Sequence, residues 1–105
     1  MARKVVGRVR QYLSGVGFFD LRSTEMPQRV EGIPFVTVKV TTLQSKYVQP
    51  SLGPESGRIV VHWRVPRSGL DIENDEVRLR AVDFAPMLLA WVESERARAN
   101  GSTKH

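Results

Sequence analysis

Cysteine is absent from the 105-residue sequence, which excludes a disulfide-bonded scaffold, a thiolate zinc site and a cysteine nucleophile. Long apolar runs are absent too. One of the longest, from Met87 to Val92, is far shorter than the roughly 18 residues that a membrane span needs. Gly7, Arg8 and Arg10 interrupt the region where a signal peptide would carry its apolar core. We therefore expect a cytoplasmic protein that does not contact a membrane.

Histidine is scarce as well. The two histidines, His62 and His105, are too far apart in the chain to supply a local metal site or a local histidine–serine pair. The acidic run 71–76 lacks the glycine and the distal glutamate of a calcium-binding loop. The sequence therefore predicts no catalytic residues, no metal ion and no cofactor, and we expect a protein that is not an enzyme.

Positive charge is what the sequence has in excess. The formal net charge is +5, the isoelectric point is near 10.2, and 12 of the 16 cationic residues are arginine. Arginine offers a planar set of donors that suits phosphate and stacks on bases, whereas lysine is the usual choice for solubility. This composition favours a nucleic-acid partner, and a GC-rich genome would produce the same enrichment without any function.

Apolar residues alternate with polar ones along much of the chain, which is typical of half-buried strands. The alternation predicts five strands, at residues 4–10, 16–22, 35–41, 58–65 and 76–81. Turn-forming residues predict loops at 23–32, 44–57 and 66–75. We expect a single β-barrel domain over residues 1–99 and a flexible tail at 100–105.

The period becomes helical after Phe84. Leu88, Trp91 and Val92 are spaced i, i+3 and i+4, which predicts a helix over residues 85–99 that packs on the strands through these three side chains. We also expect the two tryptophans, Trp63 and Trp91, to be buried. Deleting residues 84–105 should then expose part of the core and abolish cooperative folding.

Five short strands and a terminal helix favour a small antiparallel barrel, because closing the sheet removes its exposed edges. An OB-type barrel is the first choice, and an SH3-like barrel or a small sandwich is the second. The glycine, the basic alternating segment and the Gly-Phe pair within residues 7–19 resemble the opening of cold-shock domains, which implies an OB barrel. The resemblance is confined to this segment, and Val16 and Asp20 depart from the family's lysine and phenylalanine.

Four of the predicted strands place apolar residues on one side and cations on the other, with aromatic rings nearby. Such a surface binds single-stranded nucleic acid by neutralising phosphates and stacking bases on rings. We expect a nucleic-acid-binding barrel that prefers single strands to duplexes, through Arg8, Arg10, Tyr12, Phe35, Lys39, Tyr47, Arg58, His62, Arg64, Arg78 and Arg80. A merely solvated sheet face has the same pattern. A non-enzymatic assembly module that forms homo-oligomers is the alternative function.

Overall fold

The fold of the chain is an α-helix, a five-stranded sheet and a second α-helix. The computed structural model describes residues 2–42, 50–66 and 72–103. In chain order its elements are α1 (Ala2–Val16), β1 (Arg22–Glu25), β2 (Gln28–Glu31), β3 (Val36–Thr42), β4 (Ile59–Val65), a 3-10 turn (Ile72–Asn74), β5 (Glu76–Arg78) and α2 (Ala81–Thr103).

The sheet is open and mixed. Its strand order follows the sequence from β1 to β5, with β1 and β5 at the two edges. Neighbouring strands are antiparallel except β3 and β4, which are parallel with Val40 opposite Trp63. A five-stranded sheet and a C-terminal helix are confirmed, with three of the five strands close to their predicted positions. The closed antiparallel barrel is not observed in the described residues, and neither the OB-type nor the SH3-like assignment is confirmed.

The first predicted strand is a helix instead. Val6, Val9 and Leu13 are spaced i, i+3 and i+7, so they lie on one face of α1, and all three are buried. The segment also alternates, since Val5, Gly7 and Val9 are separated by single residues, and this second pattern produced the wrong prediction. The second predicted strand, 16–22, is also wrong. The resemblance to cold-shock domains fails with them, because most of the segment that carried it is helical.

The predicted loop 23–32 contains a hairpin. β1 and β2 pair antiparallel around Met26 and Pro27, with Arg22 opposite Glu31. Gly32, which follows β2, has a φ of 113°, and a Cβ atom there would lie 2.7 Å from the Asp20 carbonyl oxygen. Only glycine accepts both constraints, so this position fixes the hairpin against the segment that leaves α1.

The core lies between α1 and one face of the sheet. The apolar side of α1 packs against side chains that alternate along the strands, and those side chains are Val30, Val38, Val40, Trp63 and Val65. At one end, Asp75 accepts hydrogen bonds from Arg8 of α1 and from the Trp63 indole, the latter at 2.7 Å. The Asp75 side chain is only 2% exposed. This carboxylate therefore links α1 to the centre of the sheet.

The second helix does not pack as predicted. None of the residues that form or line the core belongs to α2 within the described part of the chain. Leu88 is 46% exposed and Trp91 is 61% exposed, which contradicts their predicted burial, whereas Trp63 is buried as predicted. α2 also continues to Thr103, beyond the predicted end at residue 99. The molecule measures 52 × 27 × 25 Å, because this helix extends away from the sheet.

Candidate functional site

The sheet face opposite α1 carries most of the charged side chains of the strands. The strand register places Arg29, Lys39, His62 and Arg78 side by side in one row across four strands. Side chains two residues further along a strand point to the same side, which adds Arg64 to this surface. We call these five residues the polar face.

The cations of the polar face bind residues 51 and 55, which lie in the described part of the connection from β3 to β4. Lys39 Nζ donates a hydrogen bond to the Ser51 carbonyl oxygen at 3.2 Å. Glu55 accepts ion pairs from Lys39 at 2.5 Å and from Arg29 at 3.2 Å. The hydrogen bond from Lys39 and the two nearby cations hold the pKa of Glu55 below its ordinary value. Much of the charge on this face therefore stabilises the fold and is not free for a partner.

His62 lies fully buried in the same row. Arg78 Nη1 lies 3.2 Å from His62 Nδ1, and because a guanidinium only donates, Nδ1 is the acceptor. The proton of the neutral ring is then on Nε2, which donates to Thr41 Oγ1 at 2.7 Å. Burial, followed by the charges of Arg78, Arg64 and Lys39, lowers the pKa of His62 to about 4. This histidine is a neutral structural residue at pH 7.

A groove of about 460 Å³ opens at one end of the polar face. Arg22, Arg29 and Arg58 line it together with Glu31 and Glu55. Arg58 donates to the carbonyl oxygens of Ile33 at 2.6 Å and Val36 at 3.0 Å, which fixes its side chain where β3 and β4 begin.

An exposed ring lies next to this groove in the chain. Phe35 follows groove-lining Pro34, is 79% exposed and has a positive φ of 67°. The Phe35 carbonyl oxygen accepts a hydrogen bond from the Ile59 amide at 2.9 Å. Because Ile59 follows Arg58, this bond places the Phe35 backbone close to Arg58. A bulky residue with positive φ is strained and suggests a specific role.

The structure brings together five of the predicted site residues and separates the others. Lys39, His62, Arg64 and Arg78 share the polar face, and Arg58 lies at its end. Phe35 lies at the same end, whereas Tyr47 is outside the described residues.

The remaining predicted residues lie elsewhere, because their segments are helical or follow the sheet. Arg8, Arg10 and Tyr12 belong to α1, on the other side of the sheet from the polar face. Arg8 pairs with Asp75 at 2.9 Å, and Tyr12 contacts the Trp63 ring edge-on. Arg80 precedes α2 and pairs with Asp83 at 2.9 Å. The predicted continuous face of cations and rings is therefore not formed by these residues.

Sequence reasoning missed three residues of the polar face and its groove. The sequence pattern puts Arg22 at the end of the strand 16–22, which is not observed, Arg29 in the loop 23–32 and Glu55 in the loop 44–57. The alternation of Arg29 and Glu31 around buried Val30 is a strand signal that was available. Nothing local identifies Glu55, because its role depends on the parallel pairing of β3 and β4.

The N-terminal half of α2 is the second candidate surface. It exposes Val82, Phe84, Leu88, Leu89 and Trp91. From their exposed fractions, these side chains leave roughly 500 Å² of apolar surface in solvent, as large as the largest patch on a typical monomer. The polar C-terminal half carries charges of both signs, and Arg98 pairs with Glu95. An apolar helical segment of this kind normally lies inside a larger assembly.

Other site types find no support in the part of the chain that the structure describes. No three histidine, aspartate or glutamate side chains there come close enough to hold a metal ion. No described helix is long and apolar enough to cross a membrane. Comparisons of the chain with protein-family models, with curated proteins and with solved structures found no match.

Proposed function

We propose that this protein is a non-enzymatic assembly module whose copies associate through the apolar half of α2. One observation carries the proposal: five large apolar side chains of this helix lie outside the core. Burying roughly 500 Å² of apolar surface contributes on the order of 10 kcal/mol per copy before the entropic cost of association. A partner surface for α2 is therefore favoured over permanent exposure.

Sedimentation velocity over a wide concentration range tests this function. We expect the wild-type chain to shift from monomer to oligomer as its concentration rises. Leu88→Asp should remain monomeric, because it places a carboxylate inside the proposed contact. Gln11→Asp is the matched control, since it adds the same charge to an exposed position of α1. A wild-type chain that stays monomeric at every concentration would contradict the proposal.

Nucleic-acid binding is the second candidate function. The observation that favours it is the groove lined by Arg22, Arg29 and Arg58. Three arginines and two glutamates line this groove, the Arg22 side chain among them is 75% exposed, and the exposed Phe35 ring lies beside the groove in the chain. Arginine side chains neutralise phosphates, and an exposed ring offers a surface for base stacking. This candidate function therefore concerns one end of the sheet instead of the whole face, with single strands still the expected ligand.

Binding of fluorescent oligonucleotides, single-stranded and duplex, across a salt series tests this candidate. For a single strand, each phosphate that the protein neutralises contributes roughly −0.7 to the slope of log affinity against log salt. We expect Arg22→Ala to make this slope shallower by about 0.7, because one phosphate is then no longer neutralised. Arg96→Ala, which removes the same charge from α2, should leave the slope unchanged. Equal effects of the two substitutions would mean non-specific charge attraction and would reject the groove as the binding site.

A further inference from the structure

We infer that two copies of the chain pair through antiparallel α2 helices, about a two-fold axis that passes between Pro86 and Met87. The inference rests on the proposed assembly function and specifies its partner and geometry. Three features of α2 carry it: the order of small and large residues along one helix face, the exposed side chains on both sides of that face, and the positions of the charges at its ends.

The centre of the contact is a line of four residues spaced i, i+4, i+7 and i+11, namely Ala81, Ala85, Leu88 and Val92. This spacing keeps them on one face of the helix. The four positions are symmetric about the point between residues 86 and 87. In an antiparallel pair, Ala81 therefore faces Val92 and Ala85 faces Leu88 of the second copy. Small residues meet large ones at every level, which lets the two helices approach and interlock.

Parallel pairing does not give this match. It would place alanine against alanine at residues 81 and 85, and larger side chains against each other at 88 and 92. The first half of the contact would contain gaps while the second half held the helices apart. Because packing at native density is what stabilises a helix pair, the sequence of α2 favours the antiparallel arrangement.

The exposed side chains flank this central line on both sides. Phe84 and Trp91, spaced i, i+7, lie along one flank, and Val82 and Leu89, with the same spacing, lie along the other. The two-fold axis brings like flanks together. Phe84 of one copy then lies beside Trp91 of the partner, at a slightly different level along the helix. The large exposed rings and branched side chains are thus buried by the same pairing that buries the centre.

Charge at the ends of the apolar segment agrees with this orientation. Glu95 is the next residue in the central line after Val92, and parallel pairing would bring two Glu95 carboxylates together. Antiparallel pairing instead carries Glu95 to the start of the partner's helix, on the flank where Arg80 lies. Arg98 of the same helix binds Glu95 through Oε2, which leaves Oε1 to accept from the partner. Arg80 binds Asp83 through Nε and Nη2, so its Nη1 can donate to a second carboxylate.

Single-cysteine variants test the orientation, and the natural absence of cysteine makes each new thiol unique. Under mild oxidation, Ala85→Cys should form a covalent dimer, because residue 85 lies close to the two-fold axis. Ala99→Cys, on the same helix face, should form none, since its two copies would lie roughly 37 Å apart along the helix axis. Sedimentation of each reduced variant confirms that association itself is retained.

The outcomes separate the inference from the proposed function. Crosslinking of both variants would establish parallel helices and overturn the antiparallel inference while leaving assembly intact. Crosslinking of neither variant, with monomeric sedimentation, would overturn both. As a second measure, Glu95→Arg should weaken association roughly fivefold by placing a cation beside the partner's Arg80, and Arg80→Glu in the same chain should restore it. No restoration by the double substitution would contradict the antiparallel register.

Discussion

The two helices of this protein differ in how much apolar surface they bury. α1 buries Val6, Val9 and Leu13 against the sheet, although half of its length is polar or charged. α2 has a longer apolar segment, and its large side chains are exposed or half-buried. The difference lies in position: α1 lies over one sheet face, whereas α2 starts three residues after the edge strand β5 and extends away. Apolar content alone therefore does not identify the helix that forms the core.

The largest difference between the two helices is expected when one carboxylate is introduced into the apolar face of each. Val9→Asp should reduce the free energy of unfolding by about 4 kcal/mol or more, because it buries an unpaired carboxylate in the core. Leu88→Asp should change it by about 0.5 kcal/mol or less in the monomer. Urea unfolding followed by circular dichroism, at dilute protein, measures both. Similar losses for the two substitutions would mean that α2 belongs to the folding unit.

A second test concerns the carboxylate that links α1 to the sheet. Asp75→Ala should cost about 3 kcal/mol, because it leaves the Arg8 guanidinium and the buried Trp63 indole without their acceptor. Glu76→Ala is the matched control, since Glu76 is exposed and pairs with Arg64 at 3.3 Å. That control should cost less than about 1 kcal/mol. Equal costs would show that Asp75 contributes no more than a surface pair.

The third test concerns the sheet face that no helix covers in the described structure. His62 stays neutral in the folded protein down to about pH 4, while in the unfolded chain it binds a proton near pH 6.5. The unfolded state thus binds more protons between these values, so stability is lost as pH falls from 6.5 to 4. We expect this loss to exceed that of His62→Gln by on the order of 2 kcal/mol. Parallel pH profiles of the two proteins would contradict the buried neutral ring.

The smallest effect is expected from removing α2. A chain that ends at Arg80 should unfold cooperatively, with a free energy of unfolding within about 1 kcal/mol of the monomeric full chain, because α2 contributes nothing to the described core. This reverses the expectation drawn from the sequence. Calorimetry of the two chains at low concentration measures the difference. Loss of cooperative unfolding in the truncated chain would mean that the helix covers part of the core after all.

The sequence predicted the elements whose patterns have one interpretation. β3 and β4 were located within one residue at each end, because Val36, Val38 and Val40 and the residues from Ile59 to Val65 alternate without a competing period. The helical period after Phe84 located α2. At α1 the alternating and helical periods overlap, and only the contact of Val9 with the sheet decides between them.

Other features of the fold have no local signal. Parallel and antiparallel strands have the same alternation, so the pairing of β3 with β4 was inaccessible to pattern reasoning. The predicted set of site residues lacks Glu55 for this reason, since Glu55 reaches Lys39 and Arg29 only through the parallel connection. The exposure of Trp91 could not be predicted either, because an apolar helix face is compatible with packing in the same chain or in another copy.

The parallel pairing of β3 and β4 also has a consequence for the order of folding. β1 and β2 are joined by two residues, Met26 and Pro27, whereas residues 43–58 separate β3 from β4. A hairpin with so short a turn forms in about 1–10 µs, but a parallel pair must first close its long connection against chain entropy. We therefore expect the rate-limiting step to be the arrival of β4 beside β3, with the ion pairs of Glu55 forming after it and slowing unfolding more than they speed folding.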